Sequence, residues 1–279
     1  MRELIASIDS PATPGHNRHE LVIEIGKIPV RVRTANLAFL QMLENRYAGF
    51  VGAGRSAAYE FEVDLEPLDE ARVEDDLSVL RRSGRWSLER GDFRAEWDPA
   101  SNRGSIRQSA NPYSIDSVLR IVHTLELARE GSFLVHAASA VRNGRAFLFA
   151  GVSGAGKTTI SRLAPKDAVL LTDEVSYVRR HEDGYCAFGT PFAGELAKSG
   201  ENINAPIAAL YLLAKGPENR IEPVGPAEAS RALLESILFF ARDPELVKSV
   251  FQAACEFICR VPVYRLTFVP DAGVWEMIA

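Results

Sequence analysis

The sequence predicts an α/β protein, α+β overall. A mixed sheet bearing a phosphate-binding loop fills the larger, later part, and a smaller α+β domain precedes it. Three observations predict this. Strand and turn signals without any catalytic cluster occupy residues 1–112; the dipeptide Asn111-Pro112 marks a boundary; and residues 113–279 hold an apolar strand, a glycine-rich loop and a helix in succession. At 279 residues, 47% hydrophobic and 25% charged, the chain is long enough for two such domains and has an ordinary globular composition.

In the first domain, the alternating or apolar runs His19 to Ile25 and Ile28 to Thr34 flank Gly26-Lys27 and predict a hairpin. Ala35 to Arg46 has helical spacing through Leu37, Leu40 and Leu43. Ala58 to Leu65 and the stretch Trp86 to Trp97 add strands, with turn signals at Gly91-Asp92 and Asn102-Arg103-Gly104. Substrate docking, oligomer contact and support of the second domain are all open roles for this unit.

The second domain starts with an amphipathic helix over Ser114 to Arg129. Ile115, Val118, Leu119, Val122 and Leu125 share one side of it, expected to pack beneath the sheet. Phe133 to Val141 reads as a strand, Asn143-Gly144 as a two-residue turn, and Ala146 to Ala150 as the antiparallel return. Arg142 then faces Arg145, which puts His136 opposite Gly151, at the mouth of the loop that follows. A packed strand histidine and a functional one are both open. The hairpin makes the sheet mixed.

That loop, Gly151-Val152-Ser153-Gly154-Ala155-Gly156-Lys157-Thr158, satisfies G-x-x-x-x-G-K-[ST], and Thr159 to Ala164 can continue a helix until Pro165. The glycines allow backbone N–H groups to turn inward onto phosphate oxygens, and the helix adds the positive end of its dipole. Gly151, Ser153, Gly154, Ala155, Gly156, Lys157, Thr158 and Thr159 are the expected nucleotide-binding residues. Lys157 would sit on the β and γ phosphates, and the Thr158 hydroxyl on the Mg²⁺ that bridges them. A short strand, Ala168 to Thr172, then ends on Asp173-Glu174. If it lies beside the strand feeding the loop, the two carboxylates reach the bound phosphates. One can hold Mg²⁺ and the other accept the proton of an attacking hydroxyl.

Further on, Val175 to Val178 and Tyr185 to Phe188 flank Glu182-Asp183-Gly184 as a hairpin. The loop Gly189 to Glu195 is a candidate for shaping the acceptor site, with Glu195 and Lys198 as weaker members. Ile207 to Ala214 and Ile221 to Val224 read as a strand pair. Pro226 opens a helix through Arg242, Asp243-Pro244-Glu245 starts another through Cys259, and Val263 to Val269 is a last strand. Leu233, Leu234, Ile237, Leu238, Val247, Val250 and Phe251 are expected core residues.

Net charge and cysteine usage bound the function classes. A formal charge of −5 argues against a broad nucleic-acid surface, and the cluster Arg81-Arg82 with Arg85 reads as a solvated face. Cys186, Cys255 and Cys259 form no disulfide framework, which fits a cytoplasmic setting; Cys255 and Cys259, four apart with no nearby histidine or acid to complete a metal set, read as buried core thiols rather than a zinc site. No apolar run is long enough for a membrane helix, and the amino terminus lacks the regions of a signal peptide, so neither membrane insertion nor export is expected.

The run Val135-His136-Ala137-Ala138-Ser139-Ala140, the Asn143-Gly144 turn, GVSGAGKTT, and the strand ending in Asp173-Glu174 resemble the catalytic domain of HPr kinase/phosphorylase. The resemblance is good over about residues 115–190 and general beyond. It implies a fold of the phosphoenolpyruvate carboxykinase-like type and a divergent member, closer to relatives among peptide-maturation and small-molecule serine kinases. Implied with it are ATP and Mg²⁺ as cofactors, transfer of the γ-phosphoryl group to a serine hydroxyl, Asp173 as base, and Lys157 and Thr158 as the loop lysine and metal-binding hydroxyl. His136 matches the family's strand histidine, and assembly into homo-oligomers is implied as well. Glu174 replaces the family's second aspartate, near the metal, and no clear counterpart exists to the arginine-containing segment used in phosphorolysis. The expected function is a serine kinase acting on a protein or peptide. A kinase for a free small molecule such as serine, and a nucleotide-binding regulatory protein without transfer, are the alternatives.

Overall fold

The computed structural model describes residues 18–52, 54, 56–68 and 76–278. The reading of the amino terminus as free of a signal peptide lies outside the described residues. Among them, no helix is long and apolar enough to cross a membrane.

The first sheet has seven strands: β1 (His19–Ile25), β2 (Ile28–Thr34), β3 (Tyr59–Leu65), β4 (Ser78–Arg82), β5 (Arg85–Arg90), β6 (Phe93–Asp98) and β7 (Arg103–Gln108). Their order is β1-β2-β3-β7-β6-β5-β4. β3 pairs in parallel with both β2 and β7, and the other pairings are antiparallel, so this sheet is mixed too. Gly26 and Lys27 both take positive φ, the backbone that a two-residue hairpin turn requires. The short edge strand β4, with Arg81 and Arg82 exposed, has too little apolar alternation to be legible beforehand. Helix α1 (Leu37–Arg46) is capped by the Asn36 side chain on the Phe39 N–H. Phe39, Leu40 and Leu43 are buried, whereas Leu37, expected on the same apolar stripe, is exposed.

Helix α2 (Pro112–Arg129) is the layer common to both halves of the molecule: it touches α1 and β7 on one side and β8 (Phe133–Val135) and the later helix α5 (Pro244–Arg260) on the other. Asn111 caps it through the N–H groups of Tyr113 and Ser114, with Pro112 at the first turn. Its apolar face is buried in a core shared with Trp86 and Trp97 of the first sheet, with Leu134 and Tyr177 of the second, and with Phe192 of the loop that follows Phe188.

The second sheet holds β8, β9 (Ala137–Arg142), β10 (Arg145–Ala150), β11 (Val169–Thr172), β12 (Ser176–His181), β13 (Gly184–Phe188), β14 (Asn204–Lys215), β15 (Arg220–Pro223), β16 (Ile237–Leu238) and β17 (Val263–Phe268). Along its path the order is β11-β9-β10-β14-β13-β12-β8-β16, with β17 on β14 and β15 on β17. β10 runs antiparallel to β9 and parallel to β14. The positive φ of Asn143 and Gly144 makes the predicted turn, and Arg142 pairs with Arg145 as counted. Alternate residues of β10 enter different cores: Leu148 lies with Phe257 on one face and Phe149 with Trp275 on the other. Burial on both faces explains the uninterrupted apolar run.

Several expectations are corrected. The strand expected over Phe133 to Val141 breaks at His136: β8 joins β12 and β16, while β9 joins β10 and β11. The His136 N–H is taken by the Ser236 carbonyl (2.7 Å), which ends the run of ladder bonds there. β11 is not beside β10, since β9 lies between them. Because both are antiparallel to β9, β11 and β10 still point the same way. β14 and β15 do not pair with each other; β17 separates them. The helix opened by Pro226 ends at Ser236 (α4, Pro226–Ser236), and the chain turns extended at Ile237 to pair with β8. On α5, Leu246, Val250 and Phe257 face inward, but Val247 and Phe251, expected in the core, are exposed on the opposite side. Cys259 is exposed and Cys255 only partly covered, so neither is the buried core thiol expected.

Candidate functional site

The Gly151–Thr158 loop leaves the carboxyl end of β10 and enters the short helix α3 (Lys157–Arg162). Gly154 (φ +75°) and Gly156 (φ +113°) hold backbone that side-chain-bearing residues rarely adopt. A Cβ on Gly156 would stand 2.7 Å from the Phe268 ring, and one on Gly151 would stand 2.7 Å from the Ala155 side chain. Gly151 and Gly156 are therefore favoured by close packing, and Gly154 and Gly156 by their left-handed backbone.

A cleft of about 570 Å³ opens against this loop. His136, Ser153, Gly154, Gly156, Lys157, Thr158, Thr159, Asp173 and Glu174 all line it. These are residues singled out from sequence, brought together from three separate stretches. β11 delivers Asp173 and Glu174 because its carboxyl end falls on the same edge as that of β10. His136 arrives from the β8–β9 break. Of the remaining expected residues, Ala155 is buried beneath the loop and Gly151 lines a neighbouring cavity. Glu195 lines the cleft with Ala193 and Gly194, whereas Lys198 does not.

The Lys157 ammonium is folded back on its own loop, donating to the carbonyls of Gly151 (2.8 Å) and Val152 (3.4 Å). Burial lowers its pKa, with Glu174 and Glu195 opposing. Burial also lowers the pKa of His136, reinforced by Lys157 and Arg120, and so favours a neutral imidazole. Asp173 is buried, and each carboxylate oxygen accepts a backbone N–H, from Gly194 and from Leu196, both at 2.9 Å. Each oxygen keeps a further lone pair. Asp173 thus latches the loop that lines the cleft, in addition to facing it. Burial raises the pKa of Glu174; Arg120 opposes this, and Asp173 adds to it.

Arg120 was missed by sequence reading. Its guanidinium lies 3.7 Å from the Glu174 carboxylate and 4.4 Å above the Phe192 ring, and its Nε has no partner among the described residues. Asp116, one turn earlier on α2, binds Arg46 (2.6 Å) and the Tyr47 hydroxyl; His123, about one turn later, binds the Tyr177 hydroxyl. The signal was available: Asp116, Arg120 and His123 form a polar stripe at helical spacing on a helix otherwise buried by apolar residues.

Among the described residues, no group of three or more His, Cys, Asp or Glu is arranged to hold a metal. Thr158 and Glu174 offer two hard oxygen donors on one cleft, a set too small for an all-protein cage. It fits a magnesium ion that takes its remaining ligands from water and phosphate.

Residues 106–279 match the family described as SynChlorMet cassette protein ScmC, and the chain belongs to that family. No curated protein matches the sequence. Among solved structures, the Hpr(Ser) kinase/phosphatase from Coxiella burnetii is similar at 12% identity, over 52% of this chain and 90% of that one, with a TM-score of 0.27.

Proposed function

We propose that the protein is a Mg²⁺-dependent, ATP-using kinase that transfers the γ-phosphoryl group to a serine hydroxyl of a protein or peptide. The observation that carries this reading is the convergence of the Gly151–Thr158 loop, His136, Asp173 and Glu174 on one cleft.

In this reading the loop amides and the end of α3 bind the phosphates, and Lys157 exchanges its two loop carbonyls for the β and γ oxygens. Thr158 and Glu174 hold the Mg²⁺, which supplies charge neutralisation when bound. Asp173 accepts the serine proton as the serine oxygen bonds to the γ phosphorus and the bond to the β–γ bridging oxygen breaks, leaving ADP. His136, held toward the neutral form, can donate its ring N–H to an oxygen of the transferred group.

The test compares the wild type with Lys157→Ala and Asp173→Asn in binding ATP and in transferring its labelled γ-phosphate. Lys157→Ala should weaken both. Asp173→Asn should abolish transfer and leave nucleotide binding in place. Full transfer by Asp173→Asn refutes the assignment of the base.

A further inference from the structure

A second cavity, about 440 Å³, lies on the other side of the same loop. It shares His136 and Ser153 with the main cleft, so the two spaces adjoin at those residues. Its remaining walls come from β14, β17, β16 and α4.

Position and charge decide what it suits. The loop lysine of such a motif reaches the β and γ phosphates. The Lys157 ammonium lies against the carbonyls of Gly151 and Val152, two residues that line the second cavity, so in the kinase reading a γ phosphate that displaces those contacts stands close to that cavity. The cavity itself is unsuited to phosphate. Glu228 and Arg265 are paired with each other and cancel. Glu235 has no ion pair among the described residues and stands in the last turn of α4, where the helix presents its negative end. The space is therefore negative overall, with Leu212 and Leu238 as apolar walls. The wall is also fixed in place, because the Ser236 carbonyl accepts the His136 N–H at 2.7 Å.

Resting on the kinase reading above, we propose that this cavity is the acceptor site and that it takes a serine-containing peptide with a Lys or Arg beside the serine. The basic side chain faces Glu235 at the end of α4, and the serine hydroxyl passes between His136 and Ser153 to the γ phosphate. The volume is enough for the serine and one neighbour.

The experiment uses the full chain with Mg²⁺ and ADP, and two heptapeptides with a central serine, one flanked by lysines and one by glutamates. Binding is measured by calorimetry, and phosphorylation with labelled ATP. The lysine peptide should bind at least about tenfold more tightly than the glutamate peptide, and Glu235→Lys should remove that preference while ADP affinity stays within about twofold. Glu235→Gln, a milder change at an exposed position, should give an intermediate preference. Preference for the glutamate peptide, equal binding, or no binding of either overturns the proposal. Weakened ADP binding by Glu235→Lys overturns it too, by assigning the cavity to the nucleoside. Binding of the lysine peptide without any phosphorylation sinks the kinase reading and leaves the peptide site standing.

Discussion

Replacing Asp173 by Asn is the informative perturbation, because the structure gives this side chain two tasks. Its two oxygens accept the N–H groups of Gly194 and Leu196 at 2.9 Å each, and it also faces the cleft. Asparagine keeps one acceptor and places an NH₂ against the other backbone N–H. One charge-assisted bond is lost, and a donor meets a donor. Hydrogen bonds to charged groups contribute about 1.5–3 kcal/mol. The two amides are only partly buried, which puts the expected loss near the lower end, about 2 kcal/mol. At roughly 2–4 °C per kcal/mol for domains of this size class, the melting temperature should fall by about 4–8 °C. Asp173→Ala should fall further, since both bonds go, and Glu174→Gln should barely move. Calorimetric unfolding gives the ranking, and limited proteolysis near residues 190–200 reports whether the loop has come loose. An Asp173→Asn protein as stable and as resistant as the wild type refutes the latch. Loss of transfer at temperatures where the variant is folded and its loop protected then belongs to the chemistry alone.

Other expectations follow from single contacts. Gly156→Ala forces a Cβ into left-handed backbone 2.7 Å from Phe268; it should cost about 1–3 kcal/mol and reduce ATP affinity, measured by unfolding and by nucleotide titration. Phe257, fully buried against Phe133 and Tyr185, should lose about 3–5 kcal/mol on truncation to Ala, read from denaturant unfolding. His123 is fully buried, and desolvation, with Arg179 adding, pushes its pKa down to about 3. The unfolded chain binds its proton near the ordinary value of about 6.5, so stability is full above that pH. It should fall by up to about 1.4 kcal/mol per unit as pH drops toward 3, and His123→Gln should flatten that slope in chemical denaturation at pH 7, 6 and 5.

Much of this arrangement was legible in the residues because local chemistry decided it. Asn143-Gly144 dictated a hairpin, the hairpin dictated the register, and the register placed His136 at the loop. Asp243-Pro244 announced a helix start, and the Asp243 side chain does accept the N–H groups of Glu245 and Leu246. What was not legible depends on partners distant in sequence. The break at His136 is caused by a carbonyl at Ser236, one hundred residues later, and the same β8–β16 pairing ends α4 early. β17 enters between β14 and β15, an outcome no local signal encodes. Val247 and Phe251 match an apolar pattern that α5 fills on only one side. The loop from Gly189 to Glu195 was legible as a candidate beside the acceptor site, but its hold on Asp173 was not, because it acts through backbone amides, which leave no mark on residue type.

The proposed kinase transfers its phosphoryl group in the cleft that joins His136, Lys157, Asp173 and Glu174. The most direct measurement follows labelled γ-phosphate from ATP with Mg²⁺ into lysate of the native host and into a pool of serine peptides, comparing wild type with Asp173→Asn. Labelled phosphoserine should form with the wild type and not with the variant, as phosphoryl transfer with Asp173 as base requires. Clear ATP binding without any labelled product contradicts it and leaves a nucleotide-binding protein that does not transfer phosphate.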